Sequence, residues 1–250
     1  METLGYKGRD VEVVFLSDDQ CLVVACDSCG AIGGKERDAV QVPPYIVGIC
    51  TTRVALMEVL AVGAEPVALT AAIANEPFPT GGEVLAGVRD ELGAIGKRDL
   101  PIAISTEKNI PTEQTGVGIT VVGAVKREGL RVGASRPGDQ VYCLGWPKVG
   151  AEVVSDDGKP IARAEHVRAL LADPRVREVV PVGSKGIRVE AENLAAAVRC
   201  RVVGWQEDTP LDLAKSAGPS TCLIFTAETS PPQIAGAPIH HLGELKEKAR

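Results

Sequence analysis

Two apolar runs, VEVVFL (11–16) and CLVVAC (21–26), open the chain on either side of SDDQ and predict a β-hairpin with a four-residue turn. Downstream, the apolar period alternates between that of a strand and that of a helix. TTRVALMEVLAVGAEP (51–66) predicts a helix capped by Thr51 or Thr52, with Val54, Met57 or Glu58, and Ala61 at helical spacing and Gly63 as its stop. PVALTAAIANEP (66–77) predicts a buried strand. TGGEVLAGVRDELGAIG (80–96) is the clearest amphipathic helix, with Val84, Leu85, Val88, Leu92 and Ile95 opposite Glu83, Arg89, Asp90 and Glu91. LPIAIS (100–105) and TGVGITVVGAVK (115–126) predict two further strands.

REGLRVGASRPGD (127–139) interrupts this alternation, which places a domain boundary there: 1–126 and 127–250. The second half restarts with a strand at 140–145. A helix at 162–172 and strands at 176–181, 200–205, 221–226 and 238–243 follow, with a further helix after VGSKG (182–186). The expected fold class is α/β (α+β) in two domains. No period of 20–50 residues marks a repeat array.

If Leu16 faces Cys21 in the opening hairpin, Asp10 faces Asp27 at its open end. Directly opposed side chains have Cβ atoms about 4.5–5.5 Å apart, and like charges there repel. A cation between the two carboxylates resolves the conflict, Mg²⁺ being the hard ion commonly held by one or two carboxylates plus phosphate oxygens. Two solvated strand ends, or a bulge that shifts the register, resolve it equally well.

Composition narrows the function classes. With 3% aromatics the core is built from Val, Leu, Ile and Ala, and a base-stacking platform for single-stranded nucleic acid is disfavoured. A net charge of −6 without a basic run argues against a polyanion partner. No signal peptide and no uninterrupted apolar run of about 18–20 residues is read, so a cytoplasmic location with no membrane partner is expected. The seven cysteines are expected as free thiols, most in apolar strands. Cys26 and Cys29 lack the second pair or nearby His of a zinc site, and Asp27 between them disfavours a thiolate. His166, His240 and His241 have no partner at metal-ligand spacing.

The remaining chemistry lies in carboxylates, lysines and glycines. Glu107 follows a strand at the end where α/β folds gather ligands. Glu58 stands beside the apolar stripe of its helix, where a carboxylate is either paired, for instance with Arg53, or functional. Gly183, Ser184, Lys185 and Gly186 form a weak glycine loop at a helix N-terminus, a setting that suits an anion. Lys35 is a second candidate phosphate contact, and Asn75 and Glu76 are candidates for an acceptor pocket.

In their order, these segments carry a resemblance. KGRDVEVVFLSDDQCLVVACDS is similar to the opening of thiamine-monophosphate kinases, where a G-D-D motif and a strand–turn–strand ending in Asp begin the chain. MEVLAVGAEP resembles a helix and turn shared with aminoimidazole ribonucleotide synthetases and selenophosphate synthetases. STEKN stands where those proteins carry G-G-[DE]-T, and RPGDQVYCLGWPKVGAEV, VPVGSKGIRVEAENLA and AGPSTCLIFTA resemble second-domain segments. The words CDSCGAIGGKERDAVQVPPYIVG, VALMEVLAVGAEP, NEPFPTG and VPVGSKGI look most like the α-ribazole kinase branch.

The resemblance implies a homodimeric enzyme whose N-terminal domains pair into a β-barrel interface, with a C-terminal α/β domain. It implies ATP as phosphoryl donor, Mg²⁺ held by Asp10, Asp27, Glu58 and Glu107, and a nucleoside 5′-hydroxyl as acceptor. Gly8, Asp10, Asp27, Lys35, Gly183 and Gly186 would contact the nucleotide, and Lys185 and Ser184 would meet the phosphate or the acceptor. Two departures bear on the acceptor: Arg9 replaces the first aspartate of G-D-D, and Lys185 stands where thiamine-monophosphate kinases carry a carboxylate. A thiamine-monophosphate kinase and a non-catalytic nucleotide-binding module of the same fold are the alternatives.

Overall fold

The computed structural model describes residues 5–248, so the outermost residues of the two expected spans lie outside it. The hairpin is formed by β1 (Glu12–Phe15) and β2 (Gln20–Gly30). Short strands β3 (Ile32–Gly33) and β4 (Val40–Gln41) lead into helix α1 (Pro44–Ala61). There follow β5 (Glu65–Ile73), α2 (Gly82–Ala94), β6 (Ile102–Thr106) and β7 (Gly116–Lys126). The first sheet has the order β1-β2-β7-β5-β6 and is antiparallel except for β5–β6.

The hairpin register differs by one residue from the sequence expectation. Phe15, not Leu16, faces Cys21, and Glu12 faces Val24. Ser17 donates its hydroxyl to Asp19 at 2.8 Å, and Leu16 N–H reaches the Gln20 carbonyl at 2.9 Å. Gln20 therefore joins the strand and only three residues turn, so continuing the register does not oppose Asp10 to Asp27.

Helix α1 begins seven residues earlier than expected. Pro44 occupies its first turn, where a missing N–H is harmless and a fixed φ is already helical. Thr51 and Thr52 are interior positions, and the Thr51 hydroxyl turns back onto the Val47 carbonyl at 2.9 Å. The helix is packed on several sides, by β2 and β7, by α2, and by the second half, so it carries no clean apolar stripe to read. Its length and composition would suit a membrane span, but most of it is buried as the central helix of the fold. Two glycines allow α1 and α2 to approach closely: a Cβ on Gly48 would strike the Val84 backbone, and one on Gly87 the Tyr45 backbone.

Residues 127–139 lead to the second sheet. It is built from β8 (Gln140–Leu144), β9 (Val176–Pro181), β10 (Cys200–Val203), β11 (Leu223–Ala227) and β12 (Ile239–Glu247). Its order is β10-β12-β8-β11-β9, antiparallel throughout. Helices α3 (Ala164–Ala172) and α4 (Gly186–Ala197) complete the chain. Alternate residues of β8 and β11 serve two cores. Tyr142, Leu144, Leu223 and Phe225 join a cluster that runs through α3 and α1 to the first sheet. Val141, Cys143 and Ile224 pack with Leu242 and with Ile187 and Leu194 of α4. Burial on both faces explains why β11 reads as an unbroken apolar run.

The first sheet is covered on one face only. Cys21, Val23, Ala25, Ile119, Val121, Leu69 and Ala71 are buried on the α1 side. On the opposite face Cys26, Thr70, Ala72, Ala103 and Ser105 are exposed, and within the chain the sheet is open rather than closed into a barrel.

Candidate functional site

A cavity of about 550 Å³ lies between the two halves. The first half contributes Asp10, residues 27–30 at the end of β2, the β3–β4 corner and the start of α1. The second half contributes a short 3₁₀ helix (Gly150–Val154) with the preceding Val149, the Gly183–Ser184 turn, and Gly218, Pro219 and Ser220. Asp27 continues the inward-facing alternation of Cys21, Val23 and Ala25, which aims it toward α1 and the cavity. Asp10 and Asp27 are thus brought together, through the fold rather than by direct cross-strand opposition.

Asp10 and Asp27 are the only charged residues in the lining; among the described residues no Lys, Arg or His joins them. Val and Ile make up the largest share of the remaining wall. Burial pushes the Asp27 carboxyl up to about 6, against the lowering effect of the Ser28 backbone N–H. Burial also raises the Cys29 thiol to about 11, with the Asp27 charge adding to it, and raises Cys50. Both lining thiols are therefore kept protonated at neutral pH.

Glu58 is not in the wall but is buried beside it, 6% exposed, with Oε2 left without a hydrogen-bond partner. The expected partner Arg53 is engaged elsewhere, in a two-pronged contact with Glu91 at 2.9 Å for each oxygen. Burial raises Glu58 to about 8, with the field of Arg9 lowering it and those of Asp10, Glu190 and Asp27 raising it. Glu190, on α4, was not singled out by the sequence. Its own carboxyl is raised by burial, and Lys185, Asp10 and Arg9 all act on it. One helix turn beyond the VGSKG loop, a Glu in an otherwise ordinary polar position gives no signal until α4 is seen packed against the N-terminal turn.

Arg9 is a buried cation of this neighbourhood, and its charge is already matched. It donates to Glu178 Oε1 at 3.3 Å and to the Val179 carbonyl at 2.6 Å. Glu178 in turn accepts from Gly133, Ala134 and Ser135 N–H and from the Ser135 hydroxyl. The residue that departs from the resembled motif therefore anchors Asp10's segment to the second half.

The other expected residues are distributed as follows. Ser184 and Gly183 line the cavity, while Lys185 is exposed just outside the lining. Gly186 has φ +81° and starts α4 tight against the Ala214 carbonyl, where a Cβ would not fit. The Arg188 N–H is taken by the Leu213 carbonyl at 2.9 Å, so the start of α4 offers an anion fewer free donors than expected. Gly8 has φ +79° and an unobstructed Cα.

Lys35 does not reach the cavity wall. It binds Glu76 at 2.6 Å, and although burial opposes it, Lys35 and Thr80 hold the Glu76 carboxyl at about 2. Asn75 is a buried clamp, bonded to Thr112, the Gln114 carbonyl and Gly116 N–H, rather than part of a pocket. Glu107 is likewise outside the lining, its carboxylate occupied by the N–H groups of Asn109 and Ile110 at 2.7 and 3.1 Å. Among the described residues, no group of three or more His, Cys, Asp and Glu has the spacing of a metal site.

Residues 8–125 match the family model for AIR synthase related protein, N-terminal domain, just under half of the chain. No curated protein matches the sequence. Solved structures match over nearly all of it. Thiamine monophosphate kinase from Aquifex aeolicus has a TM-score of 0.65 at 17% identity, covering 95% of this chain and 89% of that one. AaThiL complexed with AMPPCP and TMP has a TM-score of 0.63 at 16% identity, covering 99% and 87%. Thermotoga maritima PurL complexed with ADP has a TM-score of 0.64 at 17% identity, covering 96% of this chain but only 42% of that one. At these identities the likeness is one of fold.

Proposed function

We propose that this chain, an AIR synthase related N-terminal domain joined to a second α/β half, is an ATP-dependent kinase acting on an uncharged hydroxyl acceptor. The acceptor that the sequence resemblance favours is α-ribazole, phosphorylated on its 5′-hydroxyl for salvage of the cobamide lower ligand, by a cytoplasmic homodimer. One observation carries the acceptor class: the cavity presents two carboxylates at a largely apolar wall and no side-chain cation. A phosphomonoester buried against the valine wall, away from the carboxylates and from exposed Lys185, would be desolvated without a counter-ion, which is costly.

The site fits Mg²⁺ in the manner of one or two carboxylates completed by phosphate oxygens. Asp10 and Asp27 would hold it, with buried Glu58, its Oε2 unpartnered, and Glu190 as neighbouring carboxyls. When bound, the ion neutralises charge on the phosphates. The chain's own residues position the reactants. Arg9, fixed by Glu178, holds Asp10 at the rim. Ser184 offers a hydroxyl donor inside the cavity, and Lys185 beside it supplies an exposed cation for the transferred phosphoryl group. Glu107 stays out of this set because its carboxylate is committed to its own loop.

Thiamine monophosphate is the second reading, favoured by the fold likeness to AaThiL complexed with AMPPCP and TMP. Incubation with ATP and Mg²⁺ and either α-ribazole or thiamine monophosphate separates the two. Expected is turnover of α-ribazole alone; exclusive turnover of thiamine monophosphate overturns the choice, and no transfer to either leaves only a binding module.

A further inference from the structure

We infer that the short helix Gly150–Val154, with Val149, is the specificity wall of the acceptor site, packing against an apolar ring system of the acceptor. The inference rests on the kinase reading and goes beyond it to the group recognised and the residues that recognise it. Val149 and Val154 are 42% and 52% exposed although they line the cavity. Across from them, Val42, Ile46 and Val47 form the opposite wall from the first half. An uncharged ring between these walls would cover apolar surface that otherwise faces water, the main source of affinity in such pockets.

The segment's polar groups are engaged away from the cavity. Glu152, absent from the lining, pairs with Lys215 at 2.6 Å, and the Ser155 hydroxyl donates to the Glu152 carbonyl at 2.7 Å. The Lys148 ammonium, 5% exposed, is paired with Asp157 rather than directed at the cavity. The result is a wall with apolar side chains inward and its charges tied down outside. Asp10, Asp27 and Ser184 are among the polar residues of the lining, so the acceptor's ring would sit among the valines and its hydroxyl near the carboxylates. The volume of about 550 Å³ is within the usual range for a small-molecule site.

Equilibrium binding without ATP tests this, using α-ribazole, free benzimidazole and thiamine monophosphate as probes. The full chain is compared with Val154→Asp, an exposed position where the fold tolerates a charge, and with Glu152→Gln on the outer side. Expected is binding of α-ribazole and of benzimidazole, weakened about tenfold or more by Val154→Asp and unchanged by Glu152→Gln, with thiamine monophosphate weaker than α-ribazole. Equal binding by Val154→Asp and the parent chain overturns the inference, as does thiamine monophosphate binding at least as tightly as α-ribazole. Because no phosphoryl transfer is read, intact ring binding with no kinase activity would defeat the kinase reading while leaving the ring site standing. Kinase activity on α-ribazole that Val154→Asp leaves untouched would do the reverse.

Discussion

Arg9 and Glu178 form a buried ion pair across 169 positions of sequence, with the guanidinium also seated on the Val179 carbonyl. The two partners are unequally supported. Glu178 accepts three backbone N–H groups and a hydroxyl besides Arg9, whereas the Arg9 Nε has no partner at all. Glu178→Gln therefore strands a buried cation and is expected to cost about 3–5 kcal/mol, while Arg9→Met leaves a carboxylate that keeps its other donors and costs less. Urea denaturation midpoints of the two variants give the order directly. An Arg9→Met loss equal to or larger than that of Glu178→Gln would mean that the backbone donors do not sustain the carboxylate.

On the proposed function, Asp27 would set a pH dependence on cation binding. Burial raises its carboxyl to about 6, so in the free protein it is half protonated near that pH. A metal-bound nucleotide requires the ionised form, so its binding releases the proton. Affinity for Mg²⁺–ATP is expected to be constant above about pH 7 and to fall by up to tenfold per pH unit below about 6. Calorimetric titrations between about pH 5 and 7.5 measure it. Asp27→Asn should bind weakly and lose this slope; an unchanged slope in that variant would assign the proton to another group.

Glu58 acts on stability in the opposite direction from an ion-paired carboxylate. Its folded-state value of about 8 lies above the unfolded value of 4.5, so the folded chain holds the extra proton between the two. The contribution of protonated Glu58 is complete below about pH 4.5 and is lost as pH rises through 8. Glu58→Gln keeps the shape without the charge. It is expected to leave stability at pH 5 nearly unchanged and to raise it at pH 8.5, by on the order of a few kcal/mol. Thermal melts of both proteins at the two pH values, without divalent cation, check it; a destabilised variant at pH 8.5 would show that the ionised carboxylate is needed for the fold.

The three helices α2, α3 and α4 and the strands other than the two-residue β3 and β4 were legible from their apolar runs and periods. α2, with Val84, Val88 and Leu92 buried and Glu83 exposed, is where the amphipathic pattern places it, but Glu91, expected on its polar face, is buried against Arg53. The start of α1 was not legible, since a helix packed on several sides shows no stripe and Thr51 mimics a cap. The hairpin register was missed by one because Ser17 and Asp19 close the turn through their side chains, which apolar spacing does not report. Asp10, Asp27, Gly183 and Ser184, singled out from local sequence, all line the cavity. Val149, Val153 and Val154 were not singled out, because their place in the lining depends on how the two halves face each other.

The open face of the first sheet supports the proposed homodimer and gives its test. On β7, Thr120 stands between Cys26 of β2 and Thr70 of β5 in register, and Thr70 is followed by Ala103 of β6. This row is uncharged and small, and among the described residues no helix covers it. Its neighbours on the same face include Val24, Val122, Ala68 and Ala72, so the surface is weakly polar. Such a face suits a second copy of itself, and a standard interface needs about 800 Å² from each partner. Thr120→Arg places a charge at the centre, where a two-fold pairing would bring it near its own mate. The substituted side chain points away from the α1 core, so the monomer fold is expected to survive. Sedimentation velocity should show a dimer for the parent chain and a monomer for Thr120→Arg, with unchanged circular dichroism. A dimer that persists in the variant would move the interface off this face.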